Sequence, residues 1–140
     1  MKIIRERDGV SEQADPANFV GRAGVRRLGD LDAAGTARGF LVSFEPGGRT
    51  NWHRHTGTQL LLIVEGRGRV QSEGEPVREV AAGDAVSIAP GEKHWHGASP
   101  EAAMTHVAIN LDATTEWLER VSDETYRAKP LDEIDDRAGR

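Results

Sequence analysis

Four side chains near the middle of this 140-residue chain have the types and spacing of a metal site: His53, His55, Gln59 and His94. Neutral imidazole is the commonest protein ligand for first-row transition metals. In an extended strand, positions i and i+2 share a face, so His53 and His55 can grip one ion together. His94 lies on a distant segment, and two glycine-bracketed hairpins, one in Gly47–Gly66 and one beginning at Gly83, could bring it to the same ion.

The elements that must hold these residues read as short strands. Sixteen glycines are spaced among brief apolar runs, the pattern of strands joined by tight turns. Ala37–Glu45 ends at Pro46-Gly47-Gly48, a strong turn signal. Thr58–Glu65 is a continuous apolar run ending at Gly66, and its length and flanking glycines favour a buried strand over a helix piece. Arg67–Ser72, Pro76–Val80 and Asp84–Ala89 follow at hairpin intervals, and Ala103–Leu111 closes the series. In Thr114–Tyr126 the spacing of Trp117, Leu118 and Val121 predicts a helix with Thr114 or Thr115 as N-cap. The expected architecture is all-β, a barrel or jelly roll with a short C-terminal helix. Residues 1–128 are expected to form one domain, and residues 129–140 an acidic, solvated tail.

Composition narrows the functions. The length suits a single core. The absence of cysteine excludes disulfides, thiolate metal sites and cysteine nucleophiles. The net charge of −5 with scattered basic residues argues against nucleic acid as a partner. No apolar run reaches signal-peptide or membrane-span length, so the expected location is the cytoplasm, with no membrane partner. Arg49, Arg54 and the glutamates of 116–124 read as solvated surface.

The two histidine segments resemble the paired motifs of the cupins. Gly47–Gly66 matches G-x5-H-x-H-x3-E-x6-G, with Gln59 where glutamate is usual. Gly83–Ala98 resembles G-x5-P-x-G-x2-H-x3-N, with Ala89 and Ala98 in place of the proline and asparagine. These departures affect turn shape and leave His94 in place. A narrower resemblance rests on the runs Pro90–Ile109 and Glu116–Tyr126. It is to small bacterial single-domain cupins associated with carboxymuconolactone decarboxylases, some of which are manganese-dependent hydroxynitrile lyases. It implies a jelly-roll barrel, a divalent metal held by His53, His55, Gln59 and His94, and His106 as a further histidine in the pocket. Manganese is the first choice, with iron, nickel or zinc open. It also implies a homodimer or homotetramer, with terminal strands crossing between subunits.

A neutral shell of three histidines and a glutamine leaves a divalent ion near its full charge, whereas a glutamate would lower it to about +1. The expected chemistry is therefore redox-neutral and Lewis-acidic, and a hydroxynitrile lyase acting on cyanohydrins of small aromatic aldehydes fits best. His106 is the candidate acid/base, because an imidazole titrates near pH 6.5. His96 shares strand parity with His94 and is a second catalytic candidate. If His106 points inward, so do Met104, Ala108 and Asn110. Phe40, Val42 and Phe44 form an alternating apolar face that could line the opposite wall of a small-molecule pocket.

Three alternatives stay open. The first is an isomerase or ketonising enzyme for sugar-derived acids, which calls for a cavity arginine; Arg38, Arg67 and Arg69 are the nearest by sequence, none clearly inward. The others are an oxygen-using dioxygenase and a non-catalytic ligand-binding cupin.

Overall fold

Twelve strands and little else make up the chain in a computed structural model that describes residues 1–131. A turn of 3-10 helix at Glu6–Asp8 precedes β1 (Ser11–Gln13), β2 (Phe19–Val20), β3 (Ala23–Asp30) and β4 (Ala37–Phe44). Then come β5 (Arg49–Thr50), β6 (His53–His55), β7 (Thr58–Ser72), β8 (Arg78–Ala81) and β9 (Ala85–Ile88). The last strands are β10 (His94–Ala98), β11 (Met104–Leu111) and β12 (Thr115–Trp117), followed by the one-turn helix α1 (Asp123–Tyr126). The strands pair antiparallel in the order β1-β3-β4-β11-β7-β10-β5-β2, curling into the expected jelly-roll barrel. No helix among the described residues is long and apolar enough to cross a membrane.

Strand β7 joins the two halves of the barrel. Its first part pairs with β11 and β9, and its second with β10 and β8. The sequence suggested two strands broken at Gly66, but the chain bends there without leaving the sheet. Gly66 has φ 75°, and a Cβ would collide with the Ala103 carbonyl oxygen, so glycine is what lets one long strand turn the corner.

Alternation fixes what faces inward. Val42, Phe44, Ile63, Met104, Ala23 and Ala98 bury together, and a smaller cluster joins Leu61, Ile88 and Ala108. A third cluster, Val77, Trp95, Val121 and Tyr126, holds the C-terminal segment against β10. Burying such side chains stabilises by about 1.5–3 kcal/mol each.

Three expectations are corrected. The helix foreseen over 114–126 is mostly extended: β12 pairs with β6, matching Thr115 to His55 and Trp117 to His53, and only Asp123–Tyr126 is helical. Strand pairing and the Arg54–Glu116 ion pair at 2.9 Å override the helical spacing of the apolar residues. Ser122 caps the residual turn, its Oγ accepting from the Thr125 amide at 3.1 Å. Arg49 is not surface: it is only 4% exposed, donating to the Val121 carbonyl at 2.6 Å and to Asp123 at 2.8 Å, with its guanidinium 4.4 Å from the Tyr126 ring centroid. Finally, strands β1, β2 and β3 occupy a segment in which the sequence reading saw none. Of the expected acidic tail, residues 132–140 lie outside the described residues.

Candidate metal centre and pocket

All five histidines of the chain converge on one end of the barrel interior. His53 and His55 come from β6 with Arg54 pointing out between them. His94 and His96 come from β10, where His94 is paired in register with His53. His106 comes from β11, across from Ile63 and Val42. The strands approach closely because Gly97 lets β10 lie against β5; a Cβ there would meet the Gly48 carbonyl oxygen at 2.5 Å.

Each expected ligand histidine has its Nδ1 engaged. His53 Nδ1 donates to the Asn51 carbonyl at 2.9 Å, and His94 Nδ1 to the Glu92 carbonyl at 2.8 Å. His55 Nδ1 pairs with the Thr115 hydroxyl at 2.9 Å. A carbonyl can only accept, so in neutral His53 and His94 the Nδ1 carries the hydrogen and Nε2 keeps a free lone pair. This is the usual arrangement by which an outer partner fixes a metal-binding imidazole. His55 Nε2 is buried without a partner.

Gln59 reaches the same place from β7. Its amide nitrogen donates to Asn110 Oδ1 at 2.8 Å, which turns Oε1 toward His94 Nε2, 3.3 Å away. Both facing atoms carry lone pairs, and a shared cation reconciles them. Protonation of His94 would do the same, but burial pushes its pKa down to about 4. Ring centroids of His53 and His94 are 4.2 Å apart, and His55 lies 5.0 Å from His53 and 5.4 Å from His94.

His96 joins this group. Candidate ligand nitrogens of His53, His94 and His96 all lie within 4.8 Å of one another, a three-histidine cluster able to hold a divalent metal. His96 Nδ1 and His106 Nε2 are hydrogen-bonded at 3.0 Å, while His96 Nε2 and His106 Nδ1 are buried with no partner. Burial, aided by the neighbouring His106, holds His96 well below the ordinary histidine range. Burial likewise pushes His106 down to about 4 and lowers His53 and His55. All five rings are therefore neutral near pH 7, the state that metal binding and proton acceptance both require.

A cavity of about 400 Å³ opens onto the rings of His53, His55, His96 and His106, the size of a compact organic ligand's site. Phe40, Val42, Ala108 and Asn110 line it with His53, His55, Gln59, His96 and His106. Phe44 does not reach the lining described; it packs behind, its ring 5.6 Å from His106 and 6.2 Å from His96, and Met104 is core.

Eleven lining residues had no place in the sequence reading of the pocket, among them Thr115, Trp117, Phe19 and Arg27. Thr115 and Trp117 enter through β12, with the Trp117 ring 4.7 Å from His53. Phe19 packs against Trp117, the tilted rings 5.7 Å apart. Arg27, on β3, stands over the Phe40 ring at 5.8 Å. Arg27 shares the inward parity of Ala23 and Val25, but without its strand being recognised that alternation carried no signal. Thr115 and Trp117 were hidden because their segment read as helix.

Comparison with known proteins agrees with this geometry. Residues 40–110 match the family model Cupin_2, a cupin domain. The chain is 42% identical to a protein named (R)-mandelonitrile lyase from Granulicella tundricola, over 91% of this chain and 99% of that one. The crystal structure of a cupin-like protein from Thermotoga maritima superposes with a TM-score of 0.79 at 37% identity, covering 83% of this chain and 90% of that chain. A polyketide cyclase from Streptomyces resistomycificus shares the fold at a TM-score of 0.67 and 20% identity, covering 90% of each chain.

Proposed function

The chain belongs to the Cupin_2 family, and from that premise we propose that it is a manganese-dependent lyase that cleaves or forms cyanohydrins of small aromatic aldehydes. His53, His55, Gln59 and His94 would hold the ion. The observation that carries the reading is the buried His96–His106 pair, which shares His96 with the three-histidine cluster, in a chain 42% identical to a mandelonitrile lyase. A bound divalent ion supplies Lewis acidity that lowers the pKa of a substrate hydroxyl. The rest belongs to the protein. With Nδ1–H donating to His106, His96 presents Nε2 as a base and takes the hydroxyl proton. The C–C electron pair leaves with the nitrile carbon as cyanide, the hydroxyl oxygen becomes the aldehyde carbonyl, and the His96–His106 pair returns the proton to form hydrogen cyanide. Phe40, Val42 and Ala108 make the apolar wall for the aryl group, and Phe40 restricts it to a compact one.

Benzaldehyde release from racemic mandelonitrile by manganese-loaded protein, against a metal-stripped control, tests the activity. Metal-dependent release above background supports it; no difference removes it. His94→Ala should lose the metal, whereas His106→Ala should keep the metal at full stoichiometry and lose turnover. Unchanged turnover in His106→Ala would take that residue out of the mechanism.

One observation favours a second reading. Arg27 places a guanidinium at the cavity, with no salt bridge among the described residues. Sugar-derived acids would use that cation, through isomerisation or ketonisation at the same metal. Under this reading Arg27→Gln raises KM for a hydroxy or keto acid tenfold or more, yet leaves mandelonitrile cleavage unaltered. Equal KM values for the acid in both proteins would dismiss it.

A further inference from the structure

Trp117 is a large aromatic residue with no place in the core. It is 38% exposed and belongs to none of the three buried clusters among the described residues, whereas Trp95 is fully buried in one and Trp52 packs against it. Register explains where the indole points. Trp117 pairs with His53 across β12 and β6, and directly opposed residues of an antiparallel pair share one face of the sheet. His53 lines the cavity, and Trp117 lines it beside His53. Their ring centroids are 4.7 Å apart with a 34° tilt, which sets a flat aromatic surface next to an expected metal ligand.

The indole is braced on several sides. Phe19 packs beside it at 5.7 Å, and Phe19 in turn rests on Phe44 at 6.0 Å. Phe19 and Trp117 come from segments near opposite ends of the chain, and the buried Asn51 ties those segments together. Its Nδ2 donates to the Ala17 carbonyl at 3.0 Å and to the Leu118 carbonyl at 3.4 Å, and its amide donates to the Asn18 carbonyl at 2.8 Å. The Leu118 amide, next to Trp117, donates to the Trp52 carbonyl at 2.8 Å. A ring fixed in this way loses little rotamer freedom when a ligand settles on it. Phe40 lines the same cavity from the other sheet.

We propose, resting on the reading that this cavity receives small aromatic molecules, that Trp117 is the residue that selects an aromatic ring over a saturated one. The ring of the ligand packs on the exposed part of the indole, and Phe40 bounds the opposite side. Apolar lining alone does not supply this choice. Burial of apolar area is non-directional, so Val42 and Ala108 accept a saturated ring as readily as a flat one. The Phe40 ring already has the Arg27 guanidinium over it at 5.8 Å. The indole is the larger π face open to the cavity, and offset or tilted aromatic pairs gain stability beyond the area they bury. Trp117 is therefore a binding residue that acts on which ring enters, while the histidines act on the group that the ring carries.

Titration calorimetry of the manganese-loaded full chain with benzyl alcohol and with cyclohexylmethanol tests this without any turnover. The two probes share a hydroxymethyl group and a six-carbon ring, and differ in the flatness and π character of that ring. The expected result is that Trp117→Leu weakens benzyl alcohol about fivefold, or about 1 kcal/mol, and cyclohexylmethanol less than twofold. Trp117→Phe should restore most of the preference, with metal stoichiometry and circular dichroism unchanged. Phe19→Leu keeps the indole but removes its brace, and a preference that shrinks there supports the same assignment should Trp117→Leu not fold. Mandelonitrile turnover is measured separately on the same samples. A ring preference that depends on Trp117 in a protein without turnover removes the lyase and supports the binding role. Benzyl alcohol affinity unchanged in Trp117→Leu, equal weakening of both alcohols, or no preference in the wild-type protein would overturn it.

Discussion

In the proposed centre, the Gln59 amide would set the chemical character of a bound ion. Its nitrogen is tied to Asn110, so its oxygen is the atom offered beside His94. A carboxylate at this place would neutralise one charge of a bound divalent ion and weaken its pull on a substrate oxygen. Gln59→Glu is therefore expected to bind the metal at least as tightly and yet turn over more slowly. A rise of ~1.4 kcal/mol in the barrier is a tenfold drop in kcat. Metal stoichiometry and kcat measured on the same preparation check this; a variant as fast as the parent would show that the charge of the shell does not limit the reaction. Arg27 is the complementary case at the cavity mouth, a cation whose value depends wholly on whether the substrate is charged. That His53 and His55 share one face was legible in the sequence because a period of two needs only local backbone to be read. The His96–His106 hydrogen bond was not, since it joins two strands whose register no local pattern specifies.

Individual elements position these residues through contacts distant in sequence, and Arg49 shows how. It opens β5 and sits opposite Gly97 of β10. Its guanidinium holds Val121 and Asp123 and faces the ring of Tyr126, whose hydroxyl donates to the Ala98 carbonyl. The segment carrying β12, and with it Thr115 against His55, is thereby fastened to the histidine-bearing strand β10. Arg49→Met keeps the length of the side chain but removes charge-assisted hydrogen bonds worth about 1.5–3 kcal/mol each. The expected loss is about 2–4 kcal/mol in chemical denaturation, together with weaker metal retention as His55 loses its fixed orientation. Full stability in that variant would mean that Tyr126 and Trp95 hold the segment unaided. The helix anticipated over 114–126 failed for the same reason. Trp117, Leu118 and Val121 have helical spacing, but β6 offers an unpaired edge, and strand pairing there satisfies more backbone than one isolated helical turn could. Strands with glycine turns and apolar runs were readable. The short β1 and β2, and β3 with its many charged or small residues, were defined only by what they pair with.

At the scale of the whole molecule, gathering five neutral histidines in one interior couples the fold to pH. Their pKa values in the folded chain lie below the ordinary histidine value, with His94 and His106 at about 4, because burial disfavours the charged ring. In the unfolded chain each returns to about 6.5. Above that pH neither state holds the extra protons, and the full stability is present. As pH falls from 6.5 toward 4, the unfolded state binds protons that the folded state refuses, so stability is lost with acid. A group displaced by about 2.5 pH units contributes up to about 3 kcal/mol of this loss, and two or three such groups approach the total of about 5–15 kcal/mol that a domain of this kind possesses. Metal-free protein is thus expected to unfold cooperatively near pH 5. Bound metal acts oppositely down to the pH at which protons displace it, adding about 2.7 kcal/mol at a free concentration of one hundred times Kd. Urea midpoints at pH 7.5, 6 and 5, with and without manganese, separate the two effects. The metal-free midpoint should fall steeply over that range, and the metal-bound one should fall later. A metal-free midpoint that is flat between pH 7.5 and 5 would mean that the rings titrate as freely folded as unfolded, and that the dry histidine cluster does not persist without its ion.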